Sequence, residues 1–227
     1  MSSLPEQTAP VYATDEDVAV RAGGDFLTLC PPWQAMAQGA DGAFLPNAPW
    51  TLYSASVDFA SNGVAPNQVV WLTQPKTQFP GGGTLLAVDS IAGNSINLRR
   101  LHQDTGVGQP PAPPAGLAGV AFTISTLGPQ IEEASFDIKR RFGIDENMFD
   151  RSSSWIYDLR DLRIATVLQV LHDRYSAEVR SGQGDFALKV ARVKQQLDEV
   201  LDRVQVRWGP QGDAASPSTL FSCKITR

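Results

Sequence analysis

Residues 85–100, with the sequence LLAVDSIAGNSINLRR, decide the fold class of the middle of the chain. Apolar residues alternate with polar or small ones on both sides of Ala92-Gly93-Asn94. A period of two is typical of a half-buried β-strand, and a short turn with Gly and Asn joins antiparallel neighbours. The stretch therefore predicts a hairpin of two strands, Leu85–Ser90 and Ser95–Leu101.

Outward from this hairpin, residues 31–125 keep the same character. Short runs rich in β-branched and aromatic residues are separated by Gly, Pro and Asn. Three further runs predict strands at Leu52–Phe59, Gln68–Leu72 and Val120–Ile124. Five short strands in about seventy residues predict a small β-barrel, SH3-like or OB-like.

Before this segment, the sequence predicts two short helices. Thr14 followed by three acidic residues is typical of an N-cap and a first helical turn, and Gly23-Gly24 ends that helix. Asp25 is then expected to cap a second helix, which Pro31-Pro32 stops.

After Pro129, apolar residues at helical spacing predict three longer helices. The first carries an apolar stripe from Ile131 to Phe142 and ends at Gly143. The second runs from about Tyr157 to Tyr175. The third is expected to be capped by Asp185, and its apolar residues follow one another in steps of four and three, which favours a helical hairpin.

Composition separates the same parts of the chain. The 227 residues are 42% hydrophobic with a net charge of −5, which is sufficient for a core and excludes a disordered chain. Residues 126–227 hold fifteen acidic and fifteen basic residues, whereas residues 30–125 hold four and three. The acidic balance argues against general affinity for nucleic acid. No apolar run reaches the length of a membrane span, and the first ten residues lack the pattern of a secretory signal.

A search for catalytic and ligand-binding motifs finds none that is persuasive. His102 follows Arg99-Arg100 at a strand end, and His172 lies about three helical turns after Asp161. Neither histidine has the convergent ligands that a metal or acid–base site needs. Gly81-Gly82-Gly83 lacks the Lys-Ser/Thr pair of a phosphate-binding loop. By exclusion, the sequence predicts a protein that is not an enzyme and has no cofactor or metal.

Two groups of side chains are candidate contact sites. Lys139, Arg140 and Arg141 form a basic cluster that predicts a channel or subunit contact, although pairing with acidic residues of the same helix is the simpler explanation. A set of aromatic residues in or beside the barrel is interpreted as core or protein interface, because Lys76 is the only basic residue near it. These aromatic residues are Trp33, Trp50, Tyr53, Phe59 and Trp71.

Residues 209–227 form a third candidate contact site. Leu220–Thr226 alternates with a period of two, which predicts a strand too short to be stable alone. Its partner edge is either residues 204–208 of the same chain or another protein. The candidate residues for docking on a portal or a neighbouring subunit are Leu220, Phe221, Cys223 and Ile225.

Several stretches of the chain resemble the head–tail connector (adaptor) proteins of tailed phages. Residues 12–19, YATDEDVA, resemble the opening of that family, with Arg21 near the expected place. QIEEASFDI at 130–138 resembles the next helix of the family, and residues 161–175 resemble the long helix that follows. The resemblance covers residues 12–30 and 126–205, so residues 31–125 would be an insertion.

The resemblance implies an α+β fold, namely a helical connector core of about four helices, interrupted by an inserted small β-barrel and followed by a β tail. It divides the chain into four parts: the arm and first helices of the core, the inserted barrel, the main helical core and the docking tail. These parts are residues 1–30, 31–125, 126–208 and 209–227.

The resemblance also implies a structural virion protein at the neck, made in the host cytoplasm. It would form a homo-oligomeric ring, expected to be a dodecamer, that extends the DNA channel for genome packaging and ejection. The implied partners are the portal protein, a tail or stopper protein and other copies of the chain. DNA would pass through the lumen without specific binding, and no membrane is involved.

Three alternatives stay open at this point. A phage decoration or host-attachment module would bind a glycan or a structural protein through the barrel, and exposed Trp50 and Trp71 would favour it. A small-ligand enzyme would need a pocket at His102 or His172. A nucleic-acid-binding accessory protein would show salt-dependent retention on DNA, which the net charge of −5 argues against.

Overall fold

The computed structural model describes residues 11–102, 112–146, 156, 159–182 and 184–204. The chain divides into two compact units. The barrel unit is Thr14–Gly128, and the helical unit combines Met1–Ala13 with Pro129–Arg227. The expectation of an α+β fold with helices and a small β-barrel is confirmed.

Six antiparallel strands close into a barrel in the order β1-β2-β5-β4-β3-β6, and β6 pairs back onto β1. The strands are β1 Ala35–Leu45, β2 Ala48–Tyr53, β3 Val69–Gln74, β4 Thr84–Ala92, β5 Ser95–Arg99 and β6 Ala118–Ser125. The expected hairpin is confirmed as β4 and β5, in which Val88 lies opposite Leu98 and Ile91 opposite Ile96. The fully buried side chains inside the barrel include Phe44, Leu52, Leu72, Leu86, Ile96 and Ile124.

The sequence prediction of five strands was wrong about the first part of the barrel. It omitted β1, whose sequence AMAQGADGAFL is rich in Ala and Gly, residues that are uncommon in strands. The pairing of β1 with β6 has several register shifts, one of them between Gly39 and Gly42. A Cβ atom at Gly42 would lie 2.8 Å from the carbonyl oxygen of Val120, so glycine permits the close approach of β1 and β6. Contacts with its neighbours, rather than local propensity, place this strand.

The second strand lies earlier than the predicted Leu52–Phe59. It ends at Tyr53 because the carboxylate of Asp41 accepts hydrogen bonds from the backbone N–H groups of Ala55 and Ser56, both at 2.9 Å. The Ser54 hydroxyl also donates to Asp41, at 2.9 Å. Burial opposes ionisation, but the hydrogen bonds from Ser56 and Ser54 outweigh it and lower the pKa of Asp41. These bonds turn the chain where the sequence had predicted more strand.

Two short helices precede the strands. Helix α1, Asp15–Ala22, begins with a capping box: the side chains of Thr14 and Asp17 each accept a hydrogen bond from the backbone N–H of the other. The prediction that Thr14 is the N-cap is confirmed. The helix ends at Gly23, and a 3₁₀ turn leads into the single-turn helix α2, Phe26–Leu29, where Asp25 makes no side-chain capping bond. Both helices belong to the barrel unit, whereas the sequence grouped residues 1–30 with the helical core.

Three longer helices follow: α3 Gly128–Phe142, α4 Arg160–Arg180 and α5 Ala187–Arg203. The stripe on α3 is confirmed, with Ile131, Ala134 and Ile138 buried and the helix ending before Gly143. A 3₁₀ turn at Gly184–Phe186 precedes α5, so Asp185 is not its N-cap. Helix α5 buries four residues on one side, namely Val193, Leu197, Val200 and Leu201. None of the helices in the described ranges is long and apolar enough to cross a membrane.

Candidate functional site

The predicted basic cluster is divided by the structure, because Lys139 points inward. Its side chain is 7% exposed, and its ammonium lies 3.5 Å from Oε1 of Glu146. The same ammonium lies 5.6 Å from the centre of the Tyr12 ring. Lys139 is therefore a buried residue of the helical unit, unlike the other two members of the cluster, and the channel or subunit contact of this cluster stays a prediction.

Tyr12 belongs to the helical unit and contacts α3. Its backbone N–H donates to Oγ of Ser135 on α3, at 3.3 Å. Its hydroxyl is buried and has no hydrogen-bond partner among the described residues. Burial first, and then the charge of Glu146, raise the pKa of Tyr12 above its ordinary value. The phenol is thus a packing residue that stays protonated.

Arg140 and Arg141 are the two members of the cluster that lie at the surface. The Arg140 guanidinium lies 5.8 Å from the centre of the Phe136 ring, which is itself 55% exposed. Both arginines border an open groove of about 380 Å³ whose other lining residues come from all three long helices. These are Asp137, Ile138, Gln169 and Leu201. The two arginines leave positive charge available at the surface of the helical unit.

The shortest ion pair in the described part of the barrel unit is centred on Glu16 of α1. Its carboxylate accepts hydrogen bonds from both terminal nitrogens of the Arg99 guanidinium, each at 2.6 Å. It also accepts from the backbone N–H of His102, at 2.8 Å, and lies 2.8 Å from Nδ1 of that histidine. The Glu16 side chain is only 2% exposed. A carboxylate this deeply buried depends on these partners, because it has lost its hydration.

Asn67 holds the same cluster from another side. Its side-chain oxygen accepts from Arg99 at 2.8 Å, and its carbonyl oxygen accepts from the backbone N–H of Glu16 at 3.1 Å. Its φ of 68° lies in the left-handed region, which Asn tolerates better than most residues. The hydrogen bond to Glu16 raises the pKa of Arg99 and keeps the guanidinium charged. The cluster fastens α1 to β5 with a fixed geometry.

Asp15, the neighbour of Glu16, binds the residues that follow β6, at the C-terminal end of the barrel unit. Its carboxylate accepts from the backbone N–H of Leu127, at 2.6 Å, and from the Thr126 hydroxyl, at 2.7 Å. Burial raises the pKa of Asp15 to about 6, although these two hydrogen bonds act in the opposite direction. The contact holds the N-terminus of α1 to the chain that follows β6.

The aromatic residues of the barrel unit have different environments. Phe59 is fully buried and packs against Phe122 at a ring distance of 5.5 Å, so its interpretation as core is correct. Trp50 and Trp71 are half-buried: Trp50 lies below the Arg100 guanidinium, and the Trp71 indole donates to the Gly82 carbonyl at 2.9 Å. By contrast, 83% of Trp33 and 40% of Tyr53 are exposed. The exposed aromatic surface is centred on Trp33 rather than on Trp50 and Trp71.

Each of the two histidines lies beside an acidic residue of its own unit. His102 contacts Glu16, while Nδ1 of His172 lies 3.0 Å from the carboxylate of its neighbour Asp173 on α4. Within the described ranges, no group of three or more His, Cys, Asp or Glu residues is arranged to hold a metal ion. The docking residues Leu220, Phe221, Cys223 and Ile225 lie outside the described residues.

Sequence reasoning missed the roles of Glu16, Arg99 and Asp15. Both acids were interpreted only as favourable charges at a helix N-terminus, and the pair Glu16–Arg99 joins residues 83 positions apart. A single sequence holds no signal for such a pairing. The burial of Lys139 had a weak signal, since at 100° per residue it lies beside the apolar stripe of Ile131 and Ile138.

Comparison with known proteins adds no relative. No family model, no characterised protein and no solved structure matches this chain.

Proposed function

We propose that this chain is a head–tail connector protein of a tailed phage, a structural virion protein that forms a ring beneath the portal. One observation carries the proposal. The two stretches that resemble the family, residues 12–30 and 126–205, contain every α-helix of the described residues, and the six strands lie between them. The strands thus occupy the part of the chain where the resemblance has its gap.

The contacts of the opening motif give further support. In YATDED, Tyr12 packs against α3, Thr14 and Asp17 form the capping box, and Asp15 and Glu16 make the buried contacts of the barrel unit. A motif of six residues in which five side chains have a defined structural role is a specific feature. This density of roles strengthens the resemblance, which otherwise depends on short helical patterns.

The proposed ring would surround DNA without binding it specifically. The chain carries a net charge of −5, and Lys139 is withdrawn from the basic cluster by its contact with Glu146. Phosphate binding requires several accessible cations, and retention on DNA would then fall steeply with salt. We expect weak duplex binding at physiological salt that the double variant Arg140→Glu/Arg141→Glu does not change. If the wild type bound duplex DNA tightly and this variant did not, the proposal that the lumen lacks specific DNA binding would be contradicted.

The decisive test is the composition of the virion. We expect mass spectrometry of purified particles to find the protein in ring stoichiometry, and electron microscopy of particles labelled with an antibody to locate it at the neck. Purified protein mixed with the portal of the same phage should add a ring to one face of the portal. Absence from purified virions would overturn the proposal.

The C-terminal tail is proposed to dock on the portal or on the adjacent subunit by adding a strand. Truncation after Gly209 tests this role, because it removes Leu220, Phe221, Cys223 and Ile225 together. The truncated protein should fold and yet fail to attach to portal-bearing capsids. Normal attachment would assign docking to the helical unit or the barrel.

The alternative of a decoration or host-attachment module has one observation in its favour, the 83% exposure of Trp33. Exposed tryptophan is typical of protein and carbohydrate contacts. Under this alternative, the wild-type protein attaches to whole cells or to capsid and does not bind the portal. Trp33→Ala then abolishes that attachment. Under the connector proposal, the protein is found at the neck.

A further inference from the structure

The outward side of α3 has an ordered pattern of charge. An acidic pair lies near its N-terminus, an exposed phenylalanine lies in the middle, and an arginine lies one turn later. At 100° per residue, these positions share the side of the helix roughly opposite to the buried Ile131, Ala134 and Ile138. We name this surface the α3 stripe, and it consists of Glu132, Glu133, Phe136 and Arg140.

The outward side of α5 has the reverse pattern. An exposed leucine and an arginine lie in its N-terminal half, and two acidic residues lie in its C-terminal half. They are spaced by four, seven and three residues, which places them on one side of the helix, opposite to its buried residues. We name this surface the α5 stripe, and it consists of Leu188, Arg192, Glu199 and Asp202.

The order of charge on α5 is not explained by the stability of α5 itself. Acidic residues favour the N-terminus of a helix and basic residues its C-terminus, because of the helix dipole. Helix α5 has no acidic residue in its first turn, and Arg203 is the basic residue of its last turn. The remaining charges run against the dipole. Arg192 also lies at the surface without an ion pair within the described part of the chain. Lys194 and Asp198 pair within the helix at 3.1 Å, whereas Glu199 accepts a hydrogen bond from the neutral Gln195 at 2.8 Å. An ionic partner for Arg192 and Glu199 is therefore expected outside the helix.

We propose that the α3 stripe and the α5 stripe are the two halves of one contact between successive copies of this chain, with α3 of one copy parallel to α5 of the next. This inference rests on the proposed ring and names its subunit contact. In that arrangement Glu132 and Glu133 face Arg192, and Arg140 faces Glu199 and Asp202.

The spacing of the charges fits this arrangement. On each stripe the acidic and basic centres are separated by about eight residues, which is roughly 12 Å along a helix axis. With the charges aligned, Phe136 falls between the two ion pairs, and Leu188 falls beside the start of α3. These are the two most exposed large apolar side chains of α3 and α5, at 55% and 84%. The contact would bury both of them.

The two stripes cannot meet within one molecule, because each lies on the side of its helix that faces away from the buried side chains of the same unit. A contact between two different surfaces of identical chains is heterologous, and it produces a closed ring when the rotation between copies closes. The pattern therefore fits a ring better than a two-fold dimer. The charges at its edge would steer assembly and make it sensitive to salt.

The test is self-association of the full chain, measured by sedimentation velocity over a concentration series at about 0.02 M and about 0.5 M salt. We expect association that weakens at high salt. Arg192→Glu should weaken it about tenfold or more, since like charges would then face each other. The variant Glu132→Arg/Glu133→Arg/Arg192→Glu exchanges the two sides of the ion pair and should restore association.

Lys76→Glu is the matched control, because it makes the same change in net charge at an exposed position of the barrel unit. It should leave association unchanged. Three results would contradict the proposed contact. Lys76→Glu could weaken association as much as Arg192→Glu does, the exchanged variant could fail to restore association, or the wild-type chain could stay monomeric at low salt.

The outcome is separable from that of the proposed function. Protein found at the virion neck, together with unchanged assembly of Arg192→Glu, refutes the contact and leaves the connector proposal standing. Association that is lost and rescued as expected, in a protein that is absent from virions, refutes the connector proposal and leaves the contact standing.

Discussion

The barrel unit and the helical unit use charged residues in opposite ways. In the barrel unit two of the three acids of α1 are buried and hydrogen-bonded, with Glu16 bound by Arg99 and Asp15 bound by Leu127 and Thr126. In the helical unit α3 and α5 carry acidic and basic side chains on their outward faces, and on α5 the order of these charges is one that the helix dipole does not favour. Charge in the first unit fixes internal geometry, whereas in the second it is available to a partner.

The largest expected effect is the loss of the Glu16 charge. Glu16→Gln leaves the Arg99 guanidinium with only the exposed Asp89 carboxylate, at 3.5 Å, and removal of one member of a buried ion pair costs about 3 kcal/mol or more. We expect the free energy of unfolding of the barrel unit to fall by that amount in urea denaturation. Glu132→Gln is the control, since Glu132 is exposed, and it should change stability by less than about 0.5 kcal/mol. Equal effects of the two variants would remove the contrast between the units.

Asp15 makes the stability of the barrel unit depend on pH. Its pKa is raised from 3.8 to about 6 in the folded chain, so the folded state binds the proton more tightly than the unfolded state does. The resulting stabilisation is complete below about pH 4 and is lost as the pH rises through 6. Asp15→Asn keeps the shape of the side chain and removes its titration.

The measurement is the difference in unfolding free energy between the wild type and Asp15→Asn across this range. Relative to the variant, the wild type should lose about 3 kcal/mol between pH 4 and pH 7.5, the amount expected for a shift of about two pH units. A difference that stays flat with pH would show that Asp15 has an ordinary pKa in the folded chain.

These two acids also mark the limit of what the sequence could predict. The β4–β5 hairpin and helices α3 and α5 follow from local periodicity, which a single sequence records. Strand β1 could not be predicted, because its Ala and Gly residues are fitted to Phe122 and Val120 of a distant strand. The Glu16–Arg99 pair could not be predicted either, since nothing local distinguishes Glu16 from the acids beside it.

A substitution at Gly42 tests why β1 has so few strand-forming residues, and its expected effect on stability is the next in size. Gly42→Ala would place a Cβ atom 2.8 Å from the Val120 carbonyl oxygen and 3.0 Å from the Leu52 side chain. Such overpacking costs about 1–3 kcal/mol. Gly24→Ala is a matched control, because an added Cβ there has no neighbour within 4 Å beyond the adjoining backbone. We expect only Gly42→Ala to lower the melting temperature, and equal melting of both variants would mean that β1 can move away from β6.

The smallest effect on stability is expected at Arg192, and it separates folding from assembly. Arg192 is exposed on α5, and substitutions at such positions change stability by less than about 0.5 kcal/mol. Arg192→Glu should therefore unfold at the same urea concentration as the wild type, provided that both are measured in high salt, where association is screened. The same variant is the one expected to lose self-association. If Arg192→Glu instead unfolds at lower urea, its charge supports α5 itself, and the contrast between an internally paired barrel unit and an outwardly directed helical unit fails at this position.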